Sequence, residues 1–254
     1  MSKLLLACIA VWLSAAAAGA EDGCGAAKHL LSTEIALPRA AAAMAAHHQL
    51  TVAVSGTASS TLPGPDGARW AYPAQLEHAL RQQLPSLTVK VINAAKQNQT
   101  ATELLQQFDR LIVEDKPSLL VWQTGTVDAI RGIDPDAFRS ALEAGIDKLQ
   151  SAGSDVILMN MQYSPRTESM IPEDVYAETL QAVALEREIP LFDRFAIMKE
   201  WSDLGTFDLH SATKDPETAE RVHACIGELL ANFIVAGLDL GREADAGSPG
   251  KGEK

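Results

Sequence analysis

The sequence predicts an α/β protein of three layers, with a five-stranded parallel sheet between two layers of helices. Two observations favour this fold class. Short runs rich in β-branched residues alternate with longer runs that carry apolar residues at helical spacing, and residues 118–123 are apolar through their centre, as expected of a strand covered on both faces. A chain of 254 residues, 47% of them hydrophobic, is long enough for one such domain with its own core.

Each element follows from local signals. Residues 72–84 predict a helix with Leu76 and Leu80 on one face, and Asp134 followed by Pro135 is typical of a helix start. Strands that alternate with helices imply right-handed crossovers and therefore a parallel sheet. The predicted strands are residues 50–55, 88–93, 118–123, 155–160 and 189–192. The predicted helices are residues 72–84, 100–113, 135–150, 172–187 and 216–236.

The N-terminus has the pattern of a cleavable signal peptide. Lys3 precedes an apolar stretch over residues 4–17, and a small-residue cleavage site ends at Ala20. We therefore expect a periplasmic or secreted protein without a membrane anchor, since no other run is expected to have the length to span a bilayer. The predicted organisation is a signal peptide (1–20), an N-terminal arm and helix (21–48), the main domain (49–238) and a disordered tail (239–254).

Cleavage after Ala20 leaves two cysteines, Cys24 and Cys225. In an oxidising compartment such a pair predicts one disulfide, which would join the N-terminal arm to the last helix. Two buried free thiols are the alternative.

Charge and histidine spacing bear on partners and cofactors. A formal net charge of −12 argues against nucleic acid and anionic membranes as partners. The histidines at positions 29, 47, 48 and 78 do not have the spacing of a metal site, and we expect neither a metal nor a cofactor. His223, on the last predicted helix, is interpreted as a surface or packing residue. The sequence does not predict the oligomeric state.

In a parallel α/β sheet, the ligand site lies beyond the carboxyl ends of the strands. The loops that follow the predicted strands are therefore the candidates for chemistry. They are residues 55–67, 93–100, 124–132, 161–171 and 204–215.

These loops carry blocks that resemble those of the SGNH (GDSL-like) hydrolases. Two further segments, residues 161–166 and 191–198, resemble an exported bacterial subgroup of that family. The resemblance covers residues 24–237 in order and implies an ester hydrolase lineage with an SGNH-hydrolase, flavodoxin-like sheet topology. The resembling blocks are residues 52–73 (block I), 93–101 (block II), 122–128 (block III) and 207–210 (block V).

In that family, a serine attacks an ester carbonyl, a histidine takes the serine proton and an aspartate orients the histidine. Backbone amides, one of them from a glycine, and an asparagine side chain hold the oxyanion. This sequence keeps the histidine, as His210, and departs from the pattern elsewhere. The departing positions are Ala58 for the serine, Asn98 for the glycine, Val127 for the asparagine and Phe207 for the aspartate.

Three functional hypotheses follow. The first is an impaired or inactive hydrolase that retains a pocket for a small polar or acylated ligand. The second is an active serine esterase or O-deacetylase, acting on acyl or acetylated carbohydrate esters, that uses Ser59, Asp208 and His210. The third is a flavodoxin-like binder of phosphate or flavin at the hydroxyl-rich residues 55–61. The side chains expected to line the pocket are Thr57, Ser60, Gln123, Thr126, Asp128 and Gln162.

Residues 59–61 also have a purely structural interpretation. Serine and threonine are common in loops because their hydroxyls satisfy neighbouring backbone groups. The sequence does not decide between this interpretation and a displaced nucleophile.

Overall fold

The sheet has five parallel strands in the order β2-β1-β3-β4-β5, which confirms the predicted fold class. The computed structural model describes residues 23–210 and 215–246, so the predicted signal peptide lies outside the described residues. The central strand, β3, is buried along its whole length, as its apolar sequence predicts. The strands are β1 (Gln49–Ser55), β2 (Thr88–Asn93), β3 (Leu119–Gln123), β4 (Asp155–Met159) and β5 (Leu191–Phe192).

Helices cover both faces of the sheet. One core cluster lies between the sheet and α2, α4, α11 and α12, and a second lies between the sheet and α5, α8 and α10. The helices are α1 (Lys28–Leu31), α2 (Pro38–His47), α3 (Gly67–Trp70), α4 (Tyr72–Gln83), α5 (Ala101–Leu105), α6 (Phe108–Arg110), α7 (Thr126–Arg131), α8 (Pro135–Ser151), α9 (Pro165–Glu168), α10 (Asp174–Glu186), α11 (Arg194–Asp203) and α12 (Pro216–Ala246).

The helix predicted over residues 100–113 is divided. A capping box between Thr100 and Glu103 starts α5, but after α6 the chain forms a π-helical turn over Leu111–Asp115. Lys116 ends this turn with a left-handed backbone (φ 46°), and its N–H donates to the carbonyl of Leu111. The left-handed residue ends the helical run at Asp115, two residues beyond the predicted end, while the break between α5 and α6 falls at residues 106–107.

The last helix is longer than predicted. Residues from 239 onward were expected to be a disordered tail, but α12 continues to Ala246, and residues 247–254 of that predicted tail lie outside the described residues. Gly241 lies within the predicted tail, yet it allows close helix packing. A Cβ at this position would lie 3.0 Å from the carbonyl oxygen of Leu37 and 3.1 Å from the Cβ of Ala41.

The same helix contradicts the prediction that no run other than the N-terminal apolar stretch is long enough to span a bilayer. The segment Pro216–Glu243 is long and apolar enough to cross a membrane by length and composition, with a mean hydropathy of 1.5. Of its most apolar window, 61% is buried inside the protein. The helix packs against α4 and α2, and this core position accounts for its apolar composition.

The predicted disulfide is present and joins Cys24 to Cys225, whose Cα atoms lie 5.0 Å apart. The N-terminal arm is further held against α11. The indole nitrogen of Trp201 donates to the carbonyl of Gly25 at 2.8 Å, and a carboxylate oxygen of Glu200 accepts from the amide of Ala27 at 3.1 Å. The arm is therefore tied to two helices on one side of the sheet.

Candidate functional site

The block I loop begins where β1 ends, at the carboxyl edge of the sheet. Ala58–Ser60 forms a single 3₁₀ turn in which Ala58 is exposed, Ser59 is half-buried and Ser60 is buried. The position of the family's serine is thus the outermost of the three and carries a methyl group. Gly56 is required at the start of the loop, because a Cβ there would lie 2.3 Å from Ser60 Oγ and 2.9 Å from Gln123 Oε1.

A buried glutamine at the end of β3 accepts hydrogen bonds from this loop. Gln123 is fully buried, and its Oε1 accepts from the amide of Thr57 at 3.0 Å. The hydroxyls of Ser59 and Ser60 lie within donating distance of the same oxygen, at 3.1 Å each. Gln123, Thr57 and Ser60 were expected to line the pocket, but the structure buries all three as internal supports of the loop.

A buried arginine donates two hydrogen bonds to the same loop. Arg194, the first residue of α11, donates through Nη1 to the carbonyl of Ser59 at 3.2 Å and through Nη2 to Ser59 Oγ at 3.1 Å. Burial lowers the pKa of the guanidinium to about 10, against the opposing effects of Tyr72 and Glu173, and it stays charged at neutral pH. Arg194 lies in the resembling segment of residues 191–198, where the sequence pattern gives no sign of this role.

These contacts fix the environment of the Ser59 hydroxyl. It donates to Gln123 Oε1 and accepts from Arg194 Nη2. A serine nucleophile needs its hydroxyl hydrogen-bonded to a general base. The hydroxyl partners of Ser59 are an amide oxygen and a guanidinium, and neither can take its proton.

The block V segment presents its histidine to solvent. His210 is exposed, and its backbone amide donates to a carboxylate oxygen of Asp208 at 3.1 Å, a contact within the loop itself. Phe207, at the family's aspartate position, is buried with its ring edge-on to Trp201 at a centroid distance of 5.1 Å. The guanidinium of Arg221 lies 5.2 Å from the Phe207 centroid. An apolar packing contact thus occupies the place of the orienting carboxylate.

Blocks II and III differ in what they retain. Asn98 has a left-handed backbone (φ 57°), the conformation that explains a glycine at this position in the family. Val127 is buried in α7 and offers no donor for an oxyanion. The Asp128 carboxylate accepts from the amide of Ala101 at 3.0 Å and so joins α7 to the start of α5. Burial raises the pKa of Asp128, partly offset by these hydrogen bonds.

A small cavity lies beside Arg194, between α4, α11 and α12. Gln162, one of the expected pocket residues, lines it together with Tyr72 and His223. Its volume is about 10 Å³, close to the minimum for one water molecule. Thr126, also expected to line a pocket, is half-buried at the start of α7.

His223 is a packing residue, as the sequence analysis interpreted it. Its Nδ1 accepts from the amide of Tyr72 at 3.0 Å, so the ring proton of the neutral form is on Nε2. Burial, together with the positive charge of Arg194, lowers the pKa of His223 to about 3. The Tyr72 hydroxyl is hydrogen-bonded to Ser60 Oγ at 2.9 Å, which connects this histidine to the block I loop.

Glu173, just before α10, is a buried acid that the sequence analysis did not single out. It is 3% exposed, and within the part of the chain that the structure describes neither carboxylate oxygen has a hydrogen-bond donor. Burial raises its pKa to about 7, although the nearby Arg194 lowers it. Its position after Pro172, at a predicted helix start, is typical of an exposed capping acid and gives no sign of burial.

Among residues 23–210 and 215–246, no group of three or more His, Cys, Asp or Glu side chains is arranged to hold a metal ion.

The fold and the order of the blocks define a protein of the SGNH-type ester hydrolase lineage. The chain belongs to the non-GDSL lipase-like family, which matches residues 23–240. A segment of 76 residues is 30% identical to the esterase TesA of Pseudomonas aeruginosa. This segment is 30% of the present chain and spans only 38% of the length of TesA.

Two solved structures share the fold. The esterase EstA from Pseudoalteromonas sp., inhibited by monoethylphosphonate, is 17% identical with a TM-score of 0.58, over 74% of this chain and 98% of EstA. A catalytic serine-to-alanine mutant of Axe2, an acetylxylan esterase from Geobacillus stearothermophilus, is 17% identical with a TM-score of 0.57, over 74% of this chain and 94% of Axe2. At this level of identity, both show the fold alone.

The buried acid gives a testable pH dependence. The folded protein binds the Glu173 proton more tightly than the unfolded chain, whose carboxyl has a pKa near 4.5. The stability that this proton contributes is complete below pH 4.5 and is lost as the pH rises through 7. Glu173→Gln mimics the protonated acid. It should therefore leave the free energy of unfolding unchanged at pH 4 and raise it at pH 8. The expected increase, reduced for solvent screening, is about 1 kcal/mol.

Urea unfolding at the two pH values measures this difference. Glu178→Gln, at an exposed position of α10, is the matched control for the replacement of a carboxylate by an amide. An equal effect of Glu173→Gln at pH 4 and pH 8 would contradict the assignment.

Proposed function

We propose that this protein is an exported member of the ester hydrolase lineage that has lost fast hydrolysis and retains its carboxyl edge for binding a small polar or acylated ligand. The observation that carries the proposal is the block I turn. Its exposed position is Ala58, and the neighbouring Ser59 hydroxyl is held by Gln123 and Arg194.

The size of the expected loss follows from the missing groups. Removal of the nucleophile in a well-studied serine protease costs roughly 10⁶-fold in rate. Loss of one oxyanion donor, as with Val127, costs roughly 10²–10³-fold in a working enzyme. Phe207 packs against Trp201 at the position where the family has its orienting acid, so that position supplies no carboxylate to support His210 as a general base.

The exposed carboxyl edge of the sheet and the two structurally similar esterases support the proposed ligand class. Ala58 and Asn98 are exposed in the loops that follow β1 and β2 at the carboxyl edge, where parallel α/β sheets bind ligands, and His210 is exposed in the loop after α11. The structural relatives are an esterase inhibited by a phosphonate and an acetylxylan esterase. We therefore propose that the ligand is an acyl ester or an acetylated carbohydrate that is bound rather than turned over.

Hydrolysis of p-nitrophenyl acetate tests the loss of activity. The wild-type protein should release p-nitrophenol at the rate of buffer, and Ser59→Ala should be indistinguishable from it. Thr61→Ala, which removes another hydroxyl of the same loop, is the matched control. Turnover by the wild type and by Thr61→Ala that is abolished in Ser59→Ala would overturn the proposal and support an active esterase that uses Ser59, Asp208 and His210.

Export is proposed on the N-terminal sequence pattern and is supported by the Cys24–Cys225 disulfide, since such bonds persist in oxidising compartments. The intact mass of the protein recovered from the periplasm or medium should correspond to a chain that begins at Glu21 and lacks two hydrogen atoms. A full-length mass in the cytoplasmic fraction, with both thiols free, would contradict export.

A further inference from the structure

Within the described residues, one donor of the buried Arg194 has no acceptor. Arg194 is 2% exposed, and its two Nη atoms donate to the carbonyl and the hydroxyl of Ser59. Its Nε has no hydrogen-bond partner. Because a guanidinium carries five N–H donors and a buried polar group is costly without a partner, Arg194 retains capacity for a further acceptor.

Glu173 is a buried acceptor without a donor. Neither of its carboxylate oxygens has a hydrogen-bond partner among the described residues, although the charge of Arg194 acts on it through space. A neutral carboxyl group tolerates this arrangement far better than a carboxylate, because an ionised group that is buried without a donor is strongly destabilised. The arrangement with Arg194 bonded to Ser59 is therefore the one that suits a protonated Glu173.

The other charges near Glu173 identify the partner that its ionised form would seek. Asp174 and Glu168 are negative and oppose ionisation, whereas Arg194 favours it. Lys199 lies 3.7 Å from a carboxylate oxygen of Glu168 and offsets part of that charge. Charged side chains of α7 and α8, which pack against α10, have other partners: Asp128 with the amide of Ala101, Arg131 with Glu103, Arg139 with Glu186 and Asp147 with Arg187. Arg194 is thus the cation to which an ionised Glu173 is drawn.

The titratable groups on the other sides of Arg194 keep one protonation state near neutral pH. Burial raises the pKa of Tyr72, so its hydroxyl stays protonated. Burial, together with the charge of Arg194, lowers the pKa of His223 to about 3, so its ring stays neutral. Burial raises the pKa of Glu173 to about 7. Of these described residues, Glu173 is therefore the one that changes its charge between about pH 6 and pH 8.

We propose that Glu173 and Arg194 form a pH-sensitive switch of the block I loop: when Glu173 loses its proton, the guanidinium of Arg194 turns from Ser59 to the Glu173 carboxylate. The carboxylate is the stronger acceptor, because both partners are then charged and the pairing can be bidentate. The Ala58–Ser60 turn loses two hydrogen bonds, and the Ser59 hydroxyl keeps its bond to Gln123. The switch rests on the proposed function in one respect, since it makes ligand binding at the carboxyl edge depend on pH.

Urea unfolding of Ser59→Ala at pH 5.5 and pH 8.5 tests the switch without a ligand. At pH 5.5 the substitution removes hydroxyl bonds to both Gln123 and Arg194, whereas at pH 8.5 it removes the bond to Gln123 alone. The loss of unfolding free energy at pH 8.5 should be at most about half the loss at pH 5.5, since a bond to a charged donor is at least as strong as a neutral one. In a Glu173→Gln background, Arg194 stays on Ser59 at both pH values, and the two losses should be equal.

Two matched controls accompany this measurement. A Glu178→Gln background, changed at an exposed position of α10, should keep the difference between the two pH values. Thr61→Ala, which removes a hydroxyl that bonds the carbonyl of Ala58 in the same loop, should have equal effects at both. Equal losses for Ser59→Ala at the two pH values in the wild-type background, or a difference that persists in Glu173→Gln, would overturn the switch.

An NMR titration of the ¹⁵N-labelled wild-type protein keeps the proposal testable should Glu173→Gln fail to fold. The resonances of the Arg194 Nε–H group and of the Ser59 amide should shift together, with a midpoint near pH 7. A titration confined to Arg194, as expected if Glu173 binds the unpartnered Nε and leaves the Ser59 contacts in place, would overturn the switch. None of these measurements uses a ligand, so the appearance of esterase activity would overturn the proposed function and leave the switch intact.

Discussion

The side-chain oxygen of Gln123 is the contact on which the carboxyl edge of this protein depends. It lies at the end of the central strand, where no water reaches it, and it receives the amide of Thr57 and the hydroxyls of Ser59 and Ser60. A buried acceptor of this kind is costly to leave unpaired, so the loop must bring its donors inward. The inward position of the Ser59 hydroxyl follows from that requirement.

Arg194 adds a second contact that holds the Ser59 hydroxyl inside the protein. A buried guanidinium is costly unless it is hydrogen-bonded. Two bonds of Arg194 go to the carbonyl and hydroxyl of Ser59, while its Nε has no partner among the described residues. The nearby Glu173 compensates part of the charge through space, without a hydrogen bond among the described residues, and burial raises its pKa to about 7 against the lowering effect of Arg194. The loop that would carry a nucleophile is thereby part of a rigid polar core, and its exposed corner is an alanine.

Much of this could be predicted from the sequence because the signals are local. The alternation of strands and helices predicts the parallel sheet, and Ala58, Val127 and Phe207 are each recognisable within a short block. The disulfide could be predicted because only two cysteines, Cys24 and Cys225, lie outside the N-terminal apolar stretch. Local patterns do not contain contacts between distant segments, however. The Arg194–Ser59 contact joins residues 135 positions apart, and Gly241 is a packing glycine only because Leu37 lies against it.

The central claim is that the Ser59 hydroxyl is a structural group and not a nucleophile. Reaction with a fluorophosphonate, followed by intact mass and peptide mapping, measures this directly, because such reagents form a covalent bond with an activated serine. Our account predicts that the mass of the folded protein remains unchanged after prolonged incubation. A single phosphonyl adduct mapped to Ser59 in the folded protein, and absent after denaturation in urea, would contradict it.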